Sequence, residues 1–107
     1  MPARGYPLDI DAIILFELAR GNGSGPEVWR RARARMQVNG YKLHSGAWYP
    51  AFARLYEKGL VAWAMAASPF RRGKNRIAKV YILTEKGVKE AKRLSAVIRN
   101  LALEASA

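Results

Sequence analysis

The side chains best able to do chemistry in this sequence are cations, and they are clustered. Two clusters stand out: Arg71, Arg72, Lys74 and Arg76 in one, and Arg30, Arg31, Arg33 and Arg35 in the other. The 107 residues include 19 Lys or Arg against 8 Asp or Glu, a net charge of +11. This balance predicts a polyanionic partner, with nucleic acid favoured over an anionic membrane surface.

Several kinds of chemistry are excluded by what the chain lacks. It has no cysteine and a single histidine, His44, so thiol catalysis, disulfide frameworks, zinc fingers and multi-histidine metal sites are all ruled out. The carboxylates are scattered, mostly at predicted helix ends and exposed faces, without a recognisable nucleophile–base pair. We therefore expect a protein that is not an enzyme and needs no cofactor or metal.

Targeting and membrane signals are also missing from the pattern. The first seven residues have no apolar segment typical of a secretory signal. The unbroken apolar runs, 12–16 and 60–67, are far shorter than the ~20 residues of a membrane-spanning helix. The expectation is a cytoplasmic protein with no membrane partner.

Apolar spacing and capping residues predict an arm over residues 1–8 and then two helices. The first helix begins at Asp9 or Asp11, which can each cap it, and ends near Arg20 before a Gly-Asn-Gly segment. Its apolar stripe consists of Ile10, Ile13, Ile14 and Leu18. The second helix begins around Ser24, with a proline and an acid in its first turn, and extends to Gln37.

The third helix is predicted after residues 41–44, which are compatible with a short strand. It opens at Ser45-Gly46, reaches Lys58 and ends at Gly59. Its apolar face holds Trp48, Phe52, Leu55 and Tyr56, and its opposite face holds Ala47, Pro50, Arg54 and Lys58. Because proline fits only the first helical turn, the helix either starts as late as Ala47 or bends near Pro50. The aromatic residues Trp29, Trp48, Phe52 and Tyr56 are interpreted as core packing, and Trp63 is assigned no function.

Two strands and a last helix complete the pattern. The strands are predicted over residues 60–66 and 77–83, joined by a basic segment that contains proline and glycine. Thr84 can cap the last helix, in which apolar residues recur every three or four positions. This order predicts an α+β, mostly helical fold: a winged helix-turn-helix over residues 9–83, with a two- or three-stranded antiparallel wing. A C-terminal dimerisation helix follows over residues 84–107.

Such a fold would place the third helix in the major groove of DNA and the wing on the backbone or in the minor groove. The predicted DNA contacts are Arg30, Arg31, Lys42, His44, Ser45, Tyr49, Arg54, Lys58, Arg71, Arg72, Lys74 and Arg76. The last helix has more apolar surface than its own small domain needs, which predicts a homodimer. The predicted interface residues are Ile10, Ile13, Val88, Ala91, Leu94, Ile98 and Leu101.

Three segments resemble the PadR-type winged-helix transcriptional regulators. Residues 43–61 are similar to the family's third helix, including Tyr49-Pro50 followed by Gly59-Leu60. Residues 81–87 are similar to its Tyr-x-Leu-Thr-x-x-Gly element, and residues 24–27 to the opening of its second helix. The resemblance covers roughly residues 8–95. It implies a dimeric repressor that binds double-stranded DNA.

The sequence departs from the family pattern in two respects. Ala47 stands where the family usually has threonine, and Trp48 where it has leucine. Some small members bind flat aromatic compounds at the dimer interface through a tryptophan of the last helix, but here that helix has no aromatic residue. A small-molecule effector therefore has no support. The alternative to a sequence-specific regulator is an architectural protein that binds DNA or RNA non-specifically, since the basic charge fits both equally well.

Overall fold

A computed structural model describes residues 9–38, 40, 45–67 and 77–106, with side chains described as far as residue 97 except for that of Ser45. This part contains α1 (Ile10–Arg20), β1 (Gly23–Ser24), α2 (Gly25–Val38), a 3-10 turn (Ser45–Ala47), α3 (Trp48–Glu57), β2 (Val61–Ala67), β3 (Ile77–Leu83) and α4 (Glu85–Ser106). The expected α+β, mostly helical architecture is confirmed. The arm over 1–8, the segment 41–44 and the connection 68–76 lie outside the described residues.

The first two helices begin at side-chain caps. Between the two candidates for α1, the structure selects Asp9, whose Oδ1 accepts a hydrogen bond from the Ala12 backbone at 2.8 Å. At the start of α2, Ser24 Oγ accepts from the Glu27 backbone N–H while Glu27 Oε1 accepts from the Ser24 N–H, both at 3.3 Å. This reciprocal pair is a capping box, which satisfies two backbone donors that the helix itself leaves unpaired.

The structure also decides between the two positions for Pro50. The chain runs through the 3-10 turn before α3 begins at Trp48, so the proline falls in the first α-helical turn, where its missing N–H costs nothing. The helix ends at Gly59, which adopts φ +75°. The Gly59 and Leu60 N–H groups bond to the carbonyls of Tyr56 and Leu55, a Schellman ending that favours glycine at the left-handed position.

The sheet is antiparallel, with strand order β1-β3-β2. Strands β2 and β3 pair continuously from Val61↔Leu83 to Ala67↔Ile77. The third strand is β1, which pairs Gly23 with Tyr81 and Ser24 with Val80. Two residues without an apolar pattern gave no strand signal in the sequence, so β1 was not predicted.

Helix α4 is fastened to the end of α3 through its cap. Thr84 Oγ1 accepts from the Gly87 N–H at 3.0 Å and donates to the Gly59 carbonyl at 2.6 Å. A Cβ at Gly87 would overlap the Leu60 carbonyl oxygen, so only glycine permits this approach of helix to turn. Thr84 is thus confirmed as the cap.

The core lies where α1, α2, α3 and the sheet meet. Its fully buried side chains include Ile14, Leu15, Val28, Trp48, Phe52 and Leu55. Trp48 packs edge-on against Trp29 and Phe52, and its Nε1 donates to the Gly25 carbonyl at 3.1 Å. Within the described residues, no helix is both long and apolar enough to cross a membrane.

Candidate nucleic-acid interface

The 3-10 turn and the first turns of α3 present small and aromatic side chains to solvent. Ala47, Tyr49, Pro50 and Ala53 are all exposed, while Trp48 and Phe52 face the core. The two faces therefore follow the predicted amphipathic pattern at these positions. An outer face with small side chains allows the helix backbone to come close to another surface, as insertion into a DNA groove requires.

The cations near the end of α3 are paired within the chain. Arg54 contacts Asp11 through two atom pairs, Nη2–Oδ1 at 2.5 Å and Nε–Oδ2 at 3.4 Å, and Lys58 Nζ lies 4.0 Å from Asp11 Oδ2. The hydrogen bond to Asp11, reinforced by its charge, raises the pKa of Arg54 above its ordinary value. Half of the Arg54 side chain is exposed. The role of Arg54 and Lys58 in DNA contact stays a prediction, and any such contact must compete with Asp11.

The Arg31 side chain donates hydrogen bonds to backbone carbonyls of its own chain. Its Nη2 donates to the carbonyls of Gly21 at 2.7 Å and Glu17 at 3.1 Å, and its Nη1 to that of Asn22 at 3.3 Å. These bonds satisfy carbonyls at the end of α1 and in the turn after it. A phosphate contact of Arg31 would have to compete with these carbonyls and stays a prediction, whereas Arg30 is exposed.

A buried carboxylate, which the sequence analysis does not distinguish from the other acids, joins the same cluster. Glu17 is 2% exposed, and its Oε2 accepts from Arg35 Nε at 2.7 Å. Its Oε1 lies 3.8 Å from Arg31 Nε. The hydrogen bond to Glu17 raises the pKa of Arg35, with the charge of Glu17 as the second cause. The missed signal is spacing, because Glu17 falls within the helical stripe that contains Ile13 and Ile14.

A groove separates α3 from the sheet, and its walls are aromatic. We call it the aromatic groove and define it by Tyr49, Tyr56, Trp63, Met65, Lys79 and Tyr81. It consists of two adjoining cavities of about 480 and 520 Å³. The prediction that Tyr56 packs in the core is wrong, since it is 52% exposed: beyond Phe52 and Leu55 the sheet no longer covers α3. Burial raises the pKa of Tyr81, with Tyr49 as the second cause.

Half of the predicted DNA-binding residues fall outside the described part of the chain. These are Lys42, His44, Arg71, Arg72, Lys74 and Arg76. Ser45 is described only through its backbone, in the 3-10 turn. The basic segment leaves the sheet at Ala67 and returns at Ile77, two directly paired residues. The four wing cations therefore belong to a connection between paired strand ends, as predicted for a wing.

The predicted dimer residues separate into two groups. Ile13 and Ala91 are only 4% and 5% exposed within one chain, so they have almost no surface left for a second chain and act in the core. Val88 is 40% exposed and lines a cavity of about 500 Å³ between α1 and α4. Ile10 and Leu94 are half-buried against the core, and the side chains of Ile98 and Leu101 are not described.

The described residues contain no group of three or more His, Asp or Glu side chains that could hold a metal ion. What the geometry defines is a winged helix: α2 and α3 form the helix-turn-helix, and the hairpin of β2 and β3 forms the wing. The capped junctions at Ser24, Gly59 and Thr84 fix the order and orientation of these elements.

Comparison with solved structures identifies the particular form of winged helix, which is that of the PadR-like transcriptional regulators. A PadR-like regulator from Bacillus cereus has a TM-score of 0.74 at 17% identity over 90% of this chain and 86% of its own. A transcriptional regulator from Clostridium thermocellum has a TM-score of 0.67 at 25% identity over 90% of this chain and 84% of its own.

A third similar structure is that of Bacillus subtilis PadR in complex with operator DNA. It has a TM-score of 0.60 at 20% identity, over 87% of this chain and 46% of the PadR chain. This chain therefore spans less than half of that protein. No family model and no curated protein matches the sequence.

Proposed function

We propose that this protein is a transcriptional regulator that binds double-stranded DNA sequence-specifically as a homodimer and represses transcription. The observation that supports this most strongly is the winged-helix fold itself, shared with PadR-like regulators, one of which is bound to operator DNA. The net charge of +11 supplies the non-specific attraction to phosphates that such binding needs.

Sequence choice is assigned to the first half of α3. The exposed Pro50 and Ala53, with Ala47 in the preceding 3-10 turn, let the helix approach base edges closely, and the exposed Tyr49 has a hydroxyl that can donate to phosphate. The wing cations Arg71, Arg72, Lys74 and Arg76 are proposed to contact the adjacent backbone or minor groove. Arg30 is proposed as a phosphate contact from α2.

Selection of bound fragments from a random pool of double-stranded DNA tests this function. We expect enrichment of a two-fold-symmetric site whose affinity exceeds that of random sequence by ~10³ or more. Half-sites should be separated by one turn of DNA, about 34 Å, or by a multiple of it. Failure to enrich any site, with tight binding to every fragment, would instead establish the non-specific architectural alternative.

The dimer is proposed to form at the cavity between α1 and α4, where α4 of a second chain would cover Val88 and Phe16. An exposed apolar side chain beside a long terminal helix fits such an interface. Sedimentation equilibrium tests it: the wild-type chain should have a dimer mass and Val88→Glu a monomer mass. Val38→Glu on α2 is the matched control, because Val38 is exposed and does not line this cavity, and it should remain dimeric. A concentration-independent monomer mass for the wild type would refute the dimer.

A further inference from the structure

The aromatic groove exposes more apolar ring surface than a packed domain of this kind requires. Tyr49, Tyr56, Trp63 and Met65 are each at least two-fifths exposed. Tyr56 and Trp63 line one of the two adjoining cavities, Met65 lines the other, and Tyr49 borders both. Single exposed apolar side chains are common in soluble proteins, but a contiguous patch in a concave surface marks a binding site. The operator-binding elements proposed above use only Tyr49 of this set.

The sheet fixes the groove's rings and cation in one row. In the register of β2 and β3, Trp63 is opposite Tyr81 and Met65 is opposite Lys79, so these four side chains share one face. Successive same-face positions along a strand are about 7 Å apart, which leaves room beside each ring. Tyr56 of α3 meets Trp63 at a centroid distance of 6.5 Å with the planes tilted by 44°.

The groove combines flat ring faces with one cation, Lys79, and one carboxylate, Glu57, at the cavity that Tyr56 and Trp63 line. Lys79 Nζ lies 4.3 Å from the centroid of the Trp63 ring, a cation–π contact at the surface. Such a contact contributes little when exposed, so the ammonium group can leave the ring for a stronger anionic partner without a large cost. Ala53 adds no bulk between the rings of Tyr49 and Tyr56. Exposed aromatic rings on a sheet face with a neighbouring cation suit unstacked nucleobases and their phosphates.

From this arrangement we propose that the aromatic groove binds single-stranded DNA, with an unstacked base held against Trp63 and Tyr56. Lys79 then moves from the Trp63 ring to the adjacent phosphate. Duplex DNA does not satisfy this site, because its bases are stacked on one another and their faces are inaccessible. The site is additional to the operator-binding surface proposed for α3 and the wing.

Fluorescence anisotropy with the full-length protein tests the proposal by comparing two probes. One probe is a labelled oligo(dT) 15-mer and the other a 15-mer of abasic deoxyribose phosphate, which carries the same charge without bases. We expect oligo(dT) to bind at least about tenfold more tightly than the abasic strand. Equal affinities for the two probes would show that only phosphates are bound and would overturn the proposal.

Variants of the exposed rings locate the site. Trp63→Ala and Tyr56→Ala should each weaken oligo(dT) binding by about tenfold and leave the abasic strand unaffected, whereas Trp63→Phe should retain most of the affinity. Val97→Ala removes an exposed apolar side chain of α4 outside the groove and should change neither probe. An equal loss in Val97→Ala, or no loss in either ring variant, would refute the assignment. Unchanged thermal midpoints confirm that these surface variants fold.

The duplex selection and the two single-stranded probes together separate this site from the proposed regulatory function. Enrichment of a symmetric duplex site without preference for oligo(dT) over the abasic strand would leave the regulator standing and remove the groove proposal. Preference for oligo(dT) without any enriched duplex site would support the groove proposal and contradict the sequence-specific regulator.

Discussion

The two carboxylates of α1 show how burial decides what an arginine does in a basic protein. Glu17 and Asp11 each attract two cations from the helix-turn-helix, Arg31 and Arg35 in one case and Arg54 and Lys58 in the other. The Glu17 carboxylate is almost fully buried, whereas that of Asp11 is one-fifth exposed and its arginine is half exposed. The Glu17 cluster therefore belongs to the fold, while the Asp11 cluster lies where water and DNA can compete.

The energetics of the two clusters differ for the same reason. A charge buried without its partner retains its full desolvation cost, so removing one member of a buried pair is strongly destabilising. Exposed pairs gain about 1 kcal/mol or less, because water and salt replace the lost interaction. The net charge of +11 is thus divided between cations that hold the fold and cations that can be redirected to a polyanion.

The largest effect is expected for Glu17→Gln. The amide cannot neutralise two arginines and turns an N–H₂ group toward one of them, so the free energy of unfolding should fall by about 2–3 kcal/mol. This is less than for a fully buried pair because Arg35 reaches solvent. Urea denaturation at pH 7 measures it. Glu57→Gln, the same change at an exposed carboxylate of α3, should stay within about 0.5 kcal/mol of wild type. Equal stability of the two variants would contradict the structural role of Glu17.

The sequence predicts those parts of the fold that depend on contacts between residues close together in the chain. The cap at Thr84, the end of α3 at Gly59 and the bounds of β2 and β3 depend on residues close in the chain and are predicted almost to the residue, while the cap of α1 is narrowed to Asp9 or Asp11. The strand β1 is not predicted, because its two residues become a strand only through pairing with β3, which is distant in sequence.

The candidate site is less predictable for a related reason. Helical spacing identifies which side chains share a face with Phe52 and Leu55, but not how far the next element extends over that face, so Tyr56 was misassigned. Similarly, the charge of Arg31 suggests a phosphate contact, and only the tertiary position of the carbonyls at the end of α1 shows that its Nη2 donates to two of them.

An intermediate effect is expected for Arg31→Gln. Losing the bonds to the Gly21, Glu17 and Asn22 carbonyls should lower the free energy of unfolding by about 1–2 kcal/mol. The slope of log affinity for DNA against log salt concentration should not change if the three carbonyls keep this guanidinium from a phosphate. Denaturation and salt titration on one preparation measure both quantities.

The matched variant is Arg30→Gln, which removes the same charge from the neighbouring exposed position. It should flatten the salt slope by about 0.9, the loss of one phosphate contact. If both variants flatten the slope equally, the division between fold cations and DNA cations is wrong at α2.

The smallest effect on stability, and the most informative for function, is expected for Asp11→Asn. Loss of an exposed ion pair and of one charge near the helix N-terminus should cost about 1 kcal/mol or less. Arg54 and Lys58 would then lose their internal competitor, so the salt slope for DNA should steepen by about 0.9 for each cation that gains a phosphate.

Asp9→Asn is the charge-matched control for this change, since asparagine still accepts the capping bond from the Ala12 N–H and Asp9 makes no hydrogen bond to Arg54 among those described. Equal steepening of the salt slope in both variants would mean that the loss of either carboxylate acts only through the long-range electrostatic field. A stability loss as large as that of Glu17→Gln would mean that exposure does not distinguish the two clusters. Steepening confined to Asp11→Asn would instead identify this carboxylate as the group that restrains two cations of the third helix from binding DNA.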